Sequence, residues 1–237
     1  MSIYREELLL RSKHVDMYRR LRTSELFRLL QEASIRHTEE LGMGRDKTLD
    51  RGILWVLGLQ RAEITRMPTY DETVVLKSWP GKTMHVLFPR YYSLETKDGE
   101  PLLRASALWT LVDAEKRKMV FPEKAGIVID GVVTGEEIRL PSPPPRLTCD
   151  RERPFTVPYS CVDLNGHMNN CRYLDLAEDV TGAAAAGKTL RDIQAEYVSE
   201  AKLDQTLRVS WGQDGGRYFV QGEAEQCVFR MGLTYGE

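Results

Sequence analysis

Asp163, Asn165 and His167 stand at alternate positions in the stretch Val162-Asp163-Leu164-Asn165-Gly166-His167-Met168-Asn169-Asn170. A carboxylate, a carboxamide and an imidazole this close together can relay protons near neutral pH. The imidazole carries the proton, the carboxylate acts as base or tunes the ring, and the carboxamide orients a substrate or a water. A strand-like run, Pro154-Phe155-Thr156-Val157-Pro158-Tyr159, precedes the stretch, and an amphipathic helix with Leu174 and Ala177 on one side follows it. Asn165-Gly166 marks the turn between them. A strand-to-helix turn leaves helix N-terminal amides free to attract developing negative charge. Taken singly, Asp163 and Asn165 are ordinary turn formers and His167 an ordinary helix-start residue. Capping, however, needs one polar side chain, not three followed by Asn169 and Asn170. No metal site is expected, because Asn is a poor transition-metal ligand and no His or Cys pair accompanies the set.

The pattern Asp163-x-Asn165-x-His167-x-Asn169-Asn170-x-x-Tyr173 resembles the signature of the acyl-acyl carrier protein thioesterases. Ala195-Glu196-Tyr197-Val198-Ser199-Glu200-Ala201 is similar to that family's later strand, whose Glu is assigned to the active site. The resemblance runs through the whole chain, more strongly in its C-terminal half. It implies an α+β protein of two tandem hotdog domains, each an antiparallel sheet wrapped around a central helix. It also implies that Asp163, Asn165, His167 and Glu200 converge. Glu200 alone, just ahead of Ala201-Lys202-Leu203-Asp204, would read as a solvated strand end.

The implied chemistry is thioester hydrolysis. Thiolate leaves readily, since a thiol pKa is about 8.5, so a strong acid is dispensable. Helix N-terminal amides near Met168, Asn169 and Asn170 would hold the carbonyl oxygen. Glu200 or Asp163 would activate water, the other tuning His167; alternatively Asp163 attacks the carbonyl itself. Family readings with a cysteine beside the strand Glu do not apply, because that position is Ala201. Cys161 and Cys171 flank the motif, Cys161 where the family usually has another Asp. On alternating side chains Cys161 would share a face with Asp163.

The resemblance further implies a fatty acyl chain delivered by acyl carrier protein, with coenzyme A as the less favoured carrier. No cofactor is implied beyond the phosphopantetheine arm that the substrate carries. Leu26, Leu29, Leu30 and Ala33 are plain core by periodicity, and by resemblance they line the acyl-chain tunnel. Docking an acidic carrier needs a basic patch, for which Arg19, Arg20, Arg22, Arg151, Arg153 and Arg172 are candidates. Rival activities are an acyl-CoA thioesterase for a smaller or aromatic acid, a hotdog hydratase or dehydratase, and an acyl-binding regulator without turnover. A monomer or a homodimer is compatible with an internally fused pair.

Several elements must position these groups. Residues 7–17 read as a strand. Leu26, Leu29, Leu30, Ala33, Ser34, His37 and Leu41 recur at helical spacing. Thr23 or Ser24 suits the start of that helix and Gly42 its end, with His37 a satisfied core residue on its stripe. Strands are expected over 53–65, 73–79, 85–96 and 102–112, then near 193–199, 205–212, 216–225 and 227–235. Pro141-Ser142-Pro143-Pro144-Pro145 reads as linker. The expected division is an N-terminal hotdog over 1–130, a Pro-rich linker over 131–153 and a C-terminal hotdog carrying the polar set over 154–237. A shift of 147 positions lays Val15-Asp16 on Val162-Asp163, and a shift of 133 lays Ala62-Glu63 on Ala195-Glu196. Under those shifts Tyr18, Arg20 and Met67 stand opposite Asn165, His167 and Glu200, so only the later copy keeps the polar set.

Composition is that of an ordinary globular chain, 42% hydrophobic and 29% charged over 237 residues. A net charge of −2 argues against a general nucleic-acid binder. No apolar run is long enough for a membrane span and no signal-peptide core follows Met1, so a cytoplasmic protein is expected. The four cysteines lack paired spacing and read as reduced thiols.

Overall fold

The computed structural model describes residues 2–236. In chain order the elements are β1 (Tyr4–Leu9), α1 (Thr23–Glu40), β2 (Ile53–Ile64), β3 (Thr73–Pro80), β4 (Phe88–Thr96), β5 (Pro101–Asp113) and α2 (Pro122–Ala125). They continue with β6 (Arg151–Thr156), α3 (Asn170–Thr181), β7 (Thr189–Tyr197), β8 (Thr206–Asp214), β9 (Arg217–Glu223) and β10 (Cys227–Gly236). All ten strands join one antiparallel sheet, ordered β1-β3-β4-β5-β2-β7-β10-β9-β8-β6. Each half curls around its own long helix. This is the α+β double hotdog that the resemblance implied.

The duplication is visible in the hydrogen-bond registers. Tyr4 pairs with Ser78 between β1 and β3, and Arg151 pairs with Trp211 between β6 and β8. The first members differ by 147 and the second by 133, the two shifts read from the sequence. Smaller details repeat too. Leu10 N–H donates to Glu72 O at 2.9 Å, and Val157 N–H to Gln205 O at 3.0 Å. The copies meet where β2 pairs with β7, Arg61 lying opposite Gln194. Those two residues are also 133 apart, so the pseudo-twofold axis passes between them. Asp192 Oδ2 accepts from Arg61 Nη2 across this seam at 2.8 Å.

Helix α1 forms because one face is apolar at helical spacing: Leu26, Phe27, Leu30 and Ala33 are buried against the sheet. Gly42, at φ +66°, turns the chain just past its end. Neither Thr23 nor Ser24 caps the start, because Arg22 occupies that place without a side-chain capping bond and Thr23 points to the other copy. His37 is fully buried, and burial first, then Arg90, push its pKa down to about 4. It is therefore a neutral core residue with Nε2 3.3 Å from Ser2 Oγ, but its Nδ1 lacks a partner among the described residues, so it is only half satisfied.

The early strand is shorter and earlier than the run 7–17 suggested. β1 ends at Leu9, and Ser12–His14 form a 3₁₀ turn closed by Arg11 N–H donating to His14 Nδ1 at 2.9 Å. Likewise β6 ends at Thr156 and Tyr159–Cys161 form the matching turn. The Pro-rich segment straps the outside of the sheet. Arg139 O accepts from Ser106 on β5 at 2.6 Å, and Ser142 Oγ lies 3.3 Å from Gln194 Oε1 on β7. Further on, Thr148 O sits where a Cβ on Gly212 of β8 would be, so only glycine fits there. Among the described residues no helix is long and apolar enough to cross a membrane.

Candidate active site

The turn between β6 and α3 is built by Asp163. Its Oδ1 accepts from Asn165 N–H at 2.8 Å, and its backbone O accepts from Gly166 N–H at 3.0 Å. Gly166 takes φ +78°, which the tight reversal requires. Asp163 N–H then donates to His167 O at 2.9 Å, so the imidazole leaves the turn at a fixed point. Asn165 and Gly166 are exposed at the tip, while His167 is half-buried below them. The Asn165 carboxamide makes no hydrogen bond among the described residues.

Glu200 is placed by the end of β7. Ser199 Oγ donates to Cys227 O at 2.8 Å, and Ala201 O accepts from Met168 N–H at 2.8 Å, tying the strand end to the turn. Glu200 Oε2 thereby lies 3.3 Å from His167 Nε2. Side-chain exposure is 23% for His167 and 39% for Glu200, so the pair sits at a partly open surface, not in a sealed core. The side chains of His167 and Glu200 thus meet, while Asp163 and Asn165 share the turn that carries His167. Tyr173, the last residue of the motif, lies buried beneath the turn with its ring 4.8 Å from that of Phe229.

The three candidate oxyanion amides do not fare alike. Met168 N–H is committed to Ala201 O at 2.8 Å and Asn169 N–H to Cys161 O at 2.9 Å. Neither is free to bind a substrate oxygen. Asn169 is the N-cap of α3, its Oδ1 accepting from Cys171 N–H at 3.0 Å. Asn170 opens the helix, and its N–H alone of the three has no acceptor among the described residues.

Burial raises the Cys161 thiol and pushes that of Cys171 to about 12. Neither offers a thiolate near neutral pH. Among the acyl-chain candidates, Leu26, Leu30 and Ala33 are completely buried and Leu29 packs partly buried beside them. The arginine candidates divide. Arg20 is spent on Asp16 (3.0 Å) and on the carbonyls of Gly187 and Lys188 at 3.0 and 3.1 Å. Arg172 pairs with Asp175 at 3.0 Å, whereas Arg19, Arg151 and Arg153 stay exposed.

Sequence reasoning missed Arg117. It comes from the hairpin after β5, in the other half, and forms an ion pair with the same Glu200 oxygen that faces His167. Nothing local marks Arg117 in a run of charged turn residues.

The first copy preserves the turn without its polar set. Asp16 Oδ1 accepts from Tyr18 N–H at 2.9 Å, matching Asp163 with Asn165. Leu21 N–H donates to Pro68 O as Met168 does to Ala201 O. Met67, opposite Glu200, is only 6% exposed. A cavity of about 320 Å³ lies on this side, lined by Tyr18, Arg20, Glu178 and Tyr235 among others.

Comparison with known proteins agrees with this fold. Residues 1–124 match the acyl-ACP thioesterase N-terminal domain and residues 146–236 the acyl-ACP thioesterase C-terminal domain. A dodecanoyl-[acyl-carrier-protein] hydrolase of Cinnamomum camphora is 26% identical over 234 residues, 90% of this chain and 60% of its own length. The chain spans little more than half the length of other curated relatives it matches, 54% and 57% for two from Cuphea. Among solved structures, an acyl-ACP thioesterase from Bacteroides thetaiotaomicron superposes with a TM-score of 0.84 at 21% identity, covering 99% of this chain and 98% of that one. The 12:0-ACP thioesterase from Umbellularia californica gives 0.82 at 21% identity, covering 99% and 97%. With both halves matched in order, the chain belongs to the acyl-ACP thioesterase family.

Proposed function

We propose that this chain hydrolyses fatty acyl thioesters, with acyl carrier protein as the carrier. The observation that carries the reading is the 3.3 Å approach of His167 Nε2 to Glu200 Oε2, beside a helix start whose Asn170 amide is free. Glu200 removes a proton from water as the oxygen attacks the thioester carbon. The carbonyl oxygen, gaining charge, is held by the Asn170 N–H. The C–S bond then breaks, and the proton passes by way of His167 to the departing sulfur. Asn165, unbonded at the turn tip, orients the thioester, and Asp163 holds the turn.

In this reading the acyl chain runs into the N-terminal half along α1, where Leu26, Leu29, Leu30 and Ala33 set how long a chain fits. The arms of the sheet already supply two hotdogs in one polypeptide, so a monomer suffices. Carrier protein docks on exposed arginines, with Arg19, Arg151 and Arg153 available.

The test is thiol release from acyl-carrier protein and from acyl-CoA by wild type and Glu200→Ala. Release from acyl-carrier protein that falls about 10²- to 10⁴-fold in the variant supports the reading. Release only from acyl-CoA overturns the carrier assignment. Tight acyl binding with no release overturns hydrolysis itself.

A further inference from the structure

Glu200 Oε2 receives two cationic or donor groups from opposite halves of the molecule. His167 Nε2 approaches it at 3.3 Å from the C-terminal copy, and Arg117 pairs with it from the N-terminal copy. We infer that Arg117 is a positioning residue for thioester hydrolysis: it fixes the Glu200 carboxylate over His167 and leaves Oε1 as the oxygen that takes the proton from water. This inference rests on the proposed role of Glu200.

Two independent features support it. The first is convergence on one oxygen. A carboxylate on an exposed strand end swings among rotamers unless something holds it, and an arginine is a fixed, permanently charged holder. With Oε2 occupied on both sides, Oε1 remains the unoccupied acceptor.

The second is the backbone at Arg117, which lies at φ +55°, in the left-handed region that glycine fills without strain. The hairpin around it is built to hold that conformation. Arg117 N–H donates to Asp113 O at 2.9 Å, and Asp113 N–H donates to Lys118 O at 2.9 Å. Asp113 Oδ1 accepts from Glu115 and Lys116 N–H at 3.1 and 2.7 Å. Glycine would fit position 117 without strain, so the turn itself does not call for the long cationic side chain. What it reaches is Glu200. At the matching place in the first copy, Met67 is buried and uncharged, so the arrangement exists only where the polar set does.

The pair is too exposed to hold the fold together, at 46% and 39% side-chain exposure. Exposed ion pairs of this sort contribute little stability, so removing Arg117 leaves a folded enzyme. The experiment measures steady-state thiol release from acyl-carrier protein by the full chain carrying R117A, R117K, E200Q, or R117A with E200Q. The expected result is a kcat loss of about ten- to a hundredfold in R117A with KM within about twofold. R117K recovers part of that loss, and R117A adds no further loss in the E200Q background. The His167 ring resonances shift in R117A as they do in E200Q. If R117A raises KM and leaves kcat alone, Arg117 contacts the carrier and the inference is overturned. Losses that add in the double variant overturn it as well. Should E200Q itself retain wild-type kcat, the role of Glu200 fails first, a result distinct from an inactive E200Q beside a fully active R117A.

Discussion

Thr23 Oγ1 donates to Glu178 Oε1 at 2.7 Å, joining the first residue of α1 in one copy to the last turn of α3 in the other. Burial pushes the Glu178 carboxyl up to about 7, against the lowering effect of that hydrogen bond, with Asp175 and Asp16 adding smaller upward effects and Arg20 opposing them. Below about 4.5 the group is neutral folded and unfolded alike. Between about 4.5 and 7 only the unfolded chain gives up the proton, so stability falls as pH rises, by up to about 3 kcal/mol in total. Above pH 7 the loss is complete. Glu178→Gln keeps an oxygen for Thr23 and removes the ionisation. Thermal melts from pH 5 to 8 are expected to fall for wild type and stay flatter for the variant, which is the more stable at pH 8.

Asn170→Pro tests the remaining oxyanion donor. Proline is tolerated at the first position of a helix, and Asn169, at φ −62° and ψ 138°, already has the conformation that precedes proline. The variant deletes one N–H and little else. Its kcat is expected to drop about 10²- to 10³-fold with an unchanged melting temperature. Asn170→Ala, which keeps the amide, serves as control, and equal losses in both would assign the effect to the side chain.

Asp16 and Asp163 build the same turn, so alanine at either is expected to lower stability by about 1 kcal/mol. Urea unfolding of the two variants reads this directly. Activity separates them: thiol release suffers in Asp163→Ala and survives in Asp16→Ala.

The two cysteines beside the motif are held as thiols by burial. Cys161→Ala with Cys171→Ala is expected to keep kcat within about twofold. Loss of turnover in a folded double variant would restore the thiol mechanism.

The motif from Asp163 to Tyr173 and the strand Glu200 were legible because each is a run of adjacent residues. The duplication was legible through Val15-Asp16 and Ala62-Glu63, whose shifts recur in the registers of β1 with β3 and β6 with β8. Other features depend on partners far away in the chain. Thr23 has the chemistry of a helix cap, but a buried carboxyl from the other copy draws its hydroxyl away. Met168 and Asn169 have the backbone of an anion site, but Ala201 O and Cys161 O take their amides. Arg117 gives no local sign at all, since its importance is its distance from a residue 83 positions later.

Joining the copies at β2 and β7 within one polypeptide has a consequence for how such a site can arise. In an assembly of two identical chains, every change is made twice, and a glutamate gained at the working locus appears at its twin as well. Here the twin is Met67, almost wholly covered, where an ionised group would be cut off from bulk water. Fusion lifts that penalty by letting each locus vary alone, so one side of the molecule could acquire acid and base while the other stayed greasy.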